Sequence, residues 1–188
     1  MVKPRTVYEK RMALLRAMVP QLFDEPGDLL YVGACDRRCH CSKELQDAGN
    51  VLTALEVWEP FVEKLRAHLV LSTRFKCIVL GDVTKMDDLG WDEGSFDYAF
   101  WWHGPEHVGA HELGPALKNL ETMTTKTVVL AAPWGRFPEG EVHGNPHNAH
   151  RWYIYPEHLM AFGYEVAALG PMNRPGGQVL AWKNMKEK

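Results

Sequence analysis

The chain predicts an α/β fold, a doubly wound and mostly parallel sheet with helices on both faces. Three observations predict it. Short apolar runs alternate with segments of helical spacing five times along the chain. The run Val51–Glu56 is nearly continuous in apolar residues, as a strand covered on both faces should be. Each run gives way to a glycine or an acidic residue followed by a helix, the strand-to-helix turn at which doubly wound sheets bind their ligands.

The elements follow in order. Thr6-Val-Tyr-Glu9 has capping-box spacing, and Tyr8, Met12, Leu15 and Val19 recur behind it, so a helix is expected to end near Pro20. Pro26-Gly27 marks a turn before the first strand, Leu29–Val32. The turn Gly33–Asp36 leads into a helix from Cys41 or Ser42 that stops at Gly49-Asn50. Val51–Glu56 is the second strand. Pro60 suits the first turn of the next helix, whose face carries Phe61, Leu65 and Leu69. Phe75–Leu80 is the third strand and Phe96–Trp101 the fourth, opening into His103-Gly-Pro-Glu-His107. A helix over Gly109–Met123 and a fifth strand, Lys126–Ala132, come next. Between Pro133 and Trp152 the chain turns rich in proline, glycine and histidine, the signature of a lid or binding loop. A short helix, Pro156–Phe162, precedes Tyr164–Leu169 and Gln178–Trp182, a hairpin-like pair closing the sheet. Right-handed crossovers wind the parallel part. No repeat or boundary divides the 188 residues, so one domain is expected.

Composition narrows the function. Hydrophobic content of 46%, charged content of 24% and a net charge of −3 are ordinary for a globular protein and argue against a duplex-DNA binder, which shows a basic face. Charges and Pro20 interrupt the apolar residues of the first helix, so neither a signal peptide nor a membrane span is expected there. The default compartment is the cytoplasm, with Cys35, Cys39, Cys41 and Cys77 as reduced thiols.

The residues at the strand ends point to a ligand. Gly33 ends the first strand, Glu56 the second and Asp82 the third. Trp101, Trp102 and His103 stand at the end of the fourth. Glu56 is placed to accept from a ribose diol, Trp58 to lie against an adenine, Asp82 to accept from an exocyclic amine, and the Val83 N–H to donate to a ring nitrogen. A dinucleotide fingerprint is missing: its glycines would stand at Cys35 and Arg38.

In this setting the chain resembles class I S-adenosylmethionine-dependent methyltransferases, and more narrowly the methyltransferase type 11 group. The likeness rests on Leu30-Tyr-Val-Gly-Ala, Glu56-Val-Trp-Glu-Pro-Phe, Gly81-Asp-Val, and Phe96-Asp-Tyr-Ala-Phe with Glu106-His107-Val. Weaker support comes from Ala132-Pro-Trp-Gly135, Asn145-Pro with His150, and Phe162-Gly-Tyr-Glu-Val166. It implies a Rossmann-like sheet of seven strands with the last antiparallel, and S-adenosylmethionine as cofactor. Gly33, Ala34 and Cys35 would line the methionine end. Glu56 would hold the ribose, Val57 and Trp58 would lie beside the adenine, and Asp82 and Val83 would read its edge. Trp101 would face the sulfonium methyl. The family has an acid where Tyr31 stands and glycines where Cys35 and Arg37 stand. Those glycines let backbone approach the cofactor.

Methyl transfer asks mainly for orientation, with a base where the acceptor is a hydroxyl or amine. His103, Glu106, His107 and His150 are the candidates, His103 and His150 foremost as base, and His107 also fits an anchor for the next helix. A small molecule or glycan is the expected acceptor. Two other readings stay open: a non-catalytic binding domain of the same fold, and a nucleotide- or phosphate-handling enzyme that uses Arg37 and Arg38 at a helix N-terminus. No metal site is assigned. Cys35, Cys39 and Cys41 resemble the loop of radical S-adenosylmethionine enzymes with one spacing too short, and Cys39, His40 and Cys41 lack a second ligand pair. His103, His107 and His111 would share a face only if all were helical. His143, His147 and His150 could meet on the long loop.

Overall fold

A computed structural model describes residues 6–34, 41–142 and 144–185. One seven-stranded sheet, ordered β3-β2-β1-β4-β5-β7-β6, runs through it. The strands are β1 (Asp28–Val32), β2 (Val51–Glu56), β3 (Phe75–Leu80), β4 (Phe96–Trp102), β5 (Thr124–Pro133), β6 (Glu165–Leu169) and β7 (Gln178–Asn184). The first five pair in parallel, while β7 is antiparallel to both β5 and β6. This is the topology of the Rossmann-like methyltransferase sheet expected above.

The helices are α1 (Val7–Met18), α2 (Gln21–Asp24), α3 (Ser42–Asp47), α4 (Glu59–Ala67), α5 (Ala110–Met123) and α6 (Pro156–Met160). The Thr6 hydroxyl accepts from the Glu9 N–H and the Glu9 carboxylate from the Thr6 N–H, so the capping box forms. Alternation along the strands divides the core. Leu29, Tyr31, Phe100 and Trp102 face one layer with Leu15, Leu45 and Leu65 of α1, α3 and α4. Leu30, Val32 and Trp101 face the other with Leu113, Leu117 and Leu120 of α5 and Leu159 of α6.

Some expected bounds move. The helix before Pro20 ends at Met18, and Pro20 opens the separate turn α2, because a proline ring tolerates a helix start but not its interior. Helix α4 ends at Ala67, short of Leu69, which is 88% exposed. Two stretches without visible periodicity, Ser72–Arg74 and Val83–Leu89, form 3-10 turns. Tyr31, where the methyltransferases carry an acid, is a core residue: it meets Phe75 edge-on at 5.8 Å and Phe100 at 5.4 Å.

Candidate active site

All five parallel strands end on one edge, and backbone bonds draw their exits into a row. The Gly33 N–H donates to the Leu55 carbonyl (2.8 Å), Gly81 to Glu56 (3.0 Å) and His103 to Ala131 (2.8 Å). A cavity of about 710 Å³ opens above the row, lined by Gly33, Glu56, Val57, Asp82, Val83 and Trp101 among others. Its size falls within the usual range for small-ligand sites, about 300–1,000 Å³.

Each wall has a local cause. Gly33 has φ +76°, a conformation that favours glycine, and a Cβ built there meets nothing within 4 Å, so the floor stays uncovered. Glu56 is 5% exposed, and its Oε1 accepts from the Trp58 N–H at 3.0 Å. Asp82 Oδ1 takes two bonds from Thr84, from N–H at 2.9 Å and from the hydroxyl at 2.8 Å, which caps the following turn. The Val83 carbonyl is held by the Asn119 amide (2.9 Å).

Two residues named with the cofactor stand elsewhere. Ala34 is buried in the layer of Tyr31 and Leu45, away from the cavity lining. Trp58 packs edge-on against Phe61 at 4.5 Å, and Phe61 takes the place on the wall. Cys35 lies outside the described residues, as do Arg37 and Arg38, Cys39 and His40. Among the tryptophans, Trp101 and Trp102 line the cavity, while Trp134 and Trp152 pack into the core layer of α5.

At the far end of the row the turn after β4 carries Glu106, 2% exposed in the cavity wall. Three imidazoles surround its carboxylate: His103 Nδ1 at 3.2 Å, His107 Nε2 at 3.9 Å and His150 Nε2 at 4.0 Å from Oε1. Burial pushes the Glu106 carboxyl up, but the His103 hydrogen bond and the charges of His103 and His107 outweigh it, holding the group below its ordinary value. Burial lowers the His107 imidazole; Glu106 raises it in part and His150 lowers it further.

Backbone contacts set the rings. The His103 Nδ1–H donates to the carboxylate, and Arg11 Nη1 lies 3.5 Å from His103 Nε2 as a donor. His107 donates Nδ1–H to the Ala149 carbonyl (3.4 Å) and His150 donates Nδ1–H to Phe137 (2.5 Å). The loop is fastened to the turn by the Arg151 N–H on the Glu106 carbonyl and the Trp152 indole on the Pro105 carbonyl, both at 2.9 Å. These bonds carry His150 across from a distant part of the chain. His107 sits in the turn before α5, not on its first turn, and His111 is exposed on the helix, so the three do not share a helical face. Of the loop histidines, His147 and His150 line the cavity, and His143 lies outside the described residues.

Sequence reasoning missed Arg11 and Phe61 in the wall. Arg11 stands three residues from Tyr8 and four from Leu15, on the buried side of an amphipathic helix, and a cation there is the signal that was available.

No family model and no curated protein matches the chain. Solved structures do match. The N-terminal domain of EvdMO1, crystallised in the presence of SAH and D-fucose, aligns at TM-score 0.66 and 15% identity, over 98% of this chain and 84% of that one. The chain has the class I methyltransferase fold. The same fold recurs in the Burkholderia thailandensis 1,6-didemethyltoxoflavin-N1-methyltransferase, solved with 1,6-didemethyltoxoflavin and S-adenosylhomocysteine (TM-score 0.64, 17% identity, 97% and 79% covered). It recurs in a SAM-dependent methyltransferase from Archaeoglobus fulgidus (TM-score 0.61, 14% identity, 94% of each chain covered). Among the described residues of this methyltransferase-fold chain, no helix is long and apolar enough to cross a membrane.

Proposed function

We propose that the protein transfers a methyl group from S-adenosylmethionine to a small-molecule or glycan acceptor in the cytoplasm. The observation that carries this reading is the row of strand ends: Glu56 and Asp82 leave adjacent parallel strands onto one cavity, beside an uncovered Gly33. That floor, which a Cβ would fill, and the two acidic positions beside it fit an adenosine with a charged tail. Bound S-adenosylmethionine supplies a methyl group already activated on a sulfonium sulfur.

The chain's own groups then divide the work. Glu56 accepts from the ribose hydroxyls, Asp82 and the Val83 N–H read the adenine edge, and Val57 and Phe61 cover its face. Trp101 closes the end nearest the transferred methyl. His103 is the base: Glu106 takes its Nδ1–H, and Nε2, which Arg11 Nη1 approaches to 3.5 Å, exchanges that contact for the acceptor's proton. With the cofactor bound, its sulfonium would supply the methyl, and Glu106 would hold the imidazolium that His103 becomes. A positioned base of this kind is worth roughly 10²–10⁴-fold. Asn145, His147 and Asn148 add polar groups to the loop side of the cavity, suited to an acceptor rich in hydroxyls. A sugar was present with one structural neighbour, and a small heterocycle was bound to another.

S-adenosylhomocysteine at about 100 times its Kd should stabilise the protein by about 2.7 kcal/mol, read as a rise in Tm of roughly 5–10 °C for a chain this long. Glu56→Ala should abolish the rise. Absence of any shift at millimolar ligand would remove the proposal.

A further inference from the structure

We infer that Glu106, His107 and His150 form a binding site for one first-row divalent cation, which takes the acceptor's oxygen as a further ligand. The inference rests on the methyl-transfer reading for the identity of that oxygen, not for the cation site itself.

The donor atoms converge. One ligand atom from each residue lies within 4.8 Å of the other two. Glu106 Oε2 is fully enclosed and has no hydrogen-bond partner, while Oε1 is engaged by His103. A buried carboxylate oxygen left unpaired is costly unless something occupies the place it faces.

The imidazoles are set as ligands. His107 gives its Nδ1–H to Ala149 and His150 gives its own to Phe137, so in the neutral ring each Nε2 carries a lone pair. Both Nε2 atoms lie near Glu106 Oε1, at 3.9 and 4.0 Å, too far for hydrogen bonds and close enough to share one cation with it. A cation among them would take both nitrogens and the carboxylate as ligands at once. Backbone carbonyls that fix the far ring nitrogen are the usual outer support of a metal-bound histidine.

Two imidazoles and a carboxylate suit manganese, iron, cobalt or zinc, and such a set leaves positions open for substrate. The three residues line the same cavity as Glu56 and Asp82, so an acceptor hydroxyl ligated there lies beside His103. Coordination would lower the hydroxyl's pKa; its proton would pass to His103, and the oxygen would take the methyl as the carbon–sulfur bond breaks with its electron pair going to sulfur. Acceptors whose reacting oxygen has a second oxygen next to it, such as vicinal diols, would chelate and be preferred. Charged or titratable groups also face the site, among them His103 through Glu106, and Glu139, whose Oε2 is 3.4 Å from His150 Nε2.

The test is cobalt titration of protein treated with a chelator, followed by visible absorbance and calorimetry. One equivalent should bind and develop visible ligand-field bands, as expected for a nitrogen–oxygen site. Glu106→Gln and His150→Gln should each weaken binding at least tenfold, and His103→Ala should leave it within about threefold. If Glu106→Gln fails to fold, His107→Gln supplies the same comparison. No binding, or binding unchanged in the ligand variants, overturns the inference. The S-adenosylhomocysteine shift is measured separately on the metal-free protein, so loss of that shift strikes the methyl-transfer reading and leaves the cation result standing.

Discussion

Single residues decide how the cavity keeps its shape. Gly104 follows His103, and a Cβ at position 104 would overlap the indole of Trp101. The Trp101 ring therefore rests directly on backbone, which is what places it at the cavity wall rather than across the opening. Gly104→Ala should displace that ring, lower stability by about 1–3 kcal/mol as overpacking does, and weaken S-adenosylhomocysteine binding. Urea melts and calorimetry on the variant check both. Gly33 differs in kind: its Cβ would meet nothing, so a substitution there acts through the positive φ and through the space the ligand needs. The glycines were readable at once, but not which kind of constraint each one meets.

At the scale of elements, packing depends on a few polar ties that periodicity does not announce. Tyr98 on β4 is fully buried, and its hydroxyl donates its one hydrogen to the Glu25 carbonyl (2.8 Å), with the Gln21 carbonyl alongside at 3.2 Å, tying α2 to the sheet. Burial, with the nearby charges of Glu25 and Asp97, pushes its pKa up to about 12. The unfolded phenol ionises near pH 10. The hydroxyl's contribution is therefore complete below about pH 10 and lost as pH rises through the folded value. Tyr98→Phe should cost about 1 kcal/mol at pH 7. The gap between wild type and variant should narrow in urea melts at pH 11. The loop from Pro133 to Trp152 shows the same dependence. Its composition marks it as irregular, while three bonds to Pro105, Glu106 and His107 determine where it lies.

For the molecule as a whole, the strand order places β1, β4 and β5 inside the sheet and β3 and β6 at its edges. Hydrogen exchange should follow that order, slowest in β4 and β5 and earlier in β3 and β6, because edge amides open without global unfolding. Added S-adenosylhomocysteine should slow exchange at the exits of β1, β2 and β3 and leave β6 unchanged. Equal protection in β6 would place the ligand elsewhere. Since the cavity spans the exits of four strands and the long loop, its contents bear on the stability of the sheet's ligand-facing edge.

The order of strands and helices, the carboxylates at Glu56 and Asp82 and the turn at Gly33 were all legible in the chain, because hydrophobic period and turn chemistry are local properties. The helix ends were legible only to within a residue or two where proline did not intervene, as the early stop of α4 before Leu69 shows. Tertiary structure alone decided that Phe61 rather than Trp58 reaches the wall, that Tyr31 belongs to the core, and that Arg11 enters the cavity from the first helix. It alone brought His150 to Glu106 and His107. Contacts between residues some forty positions apart are set by the packing of the whole sheet and by backbone bonds between loops, and no local pattern encodes which side chains meet there.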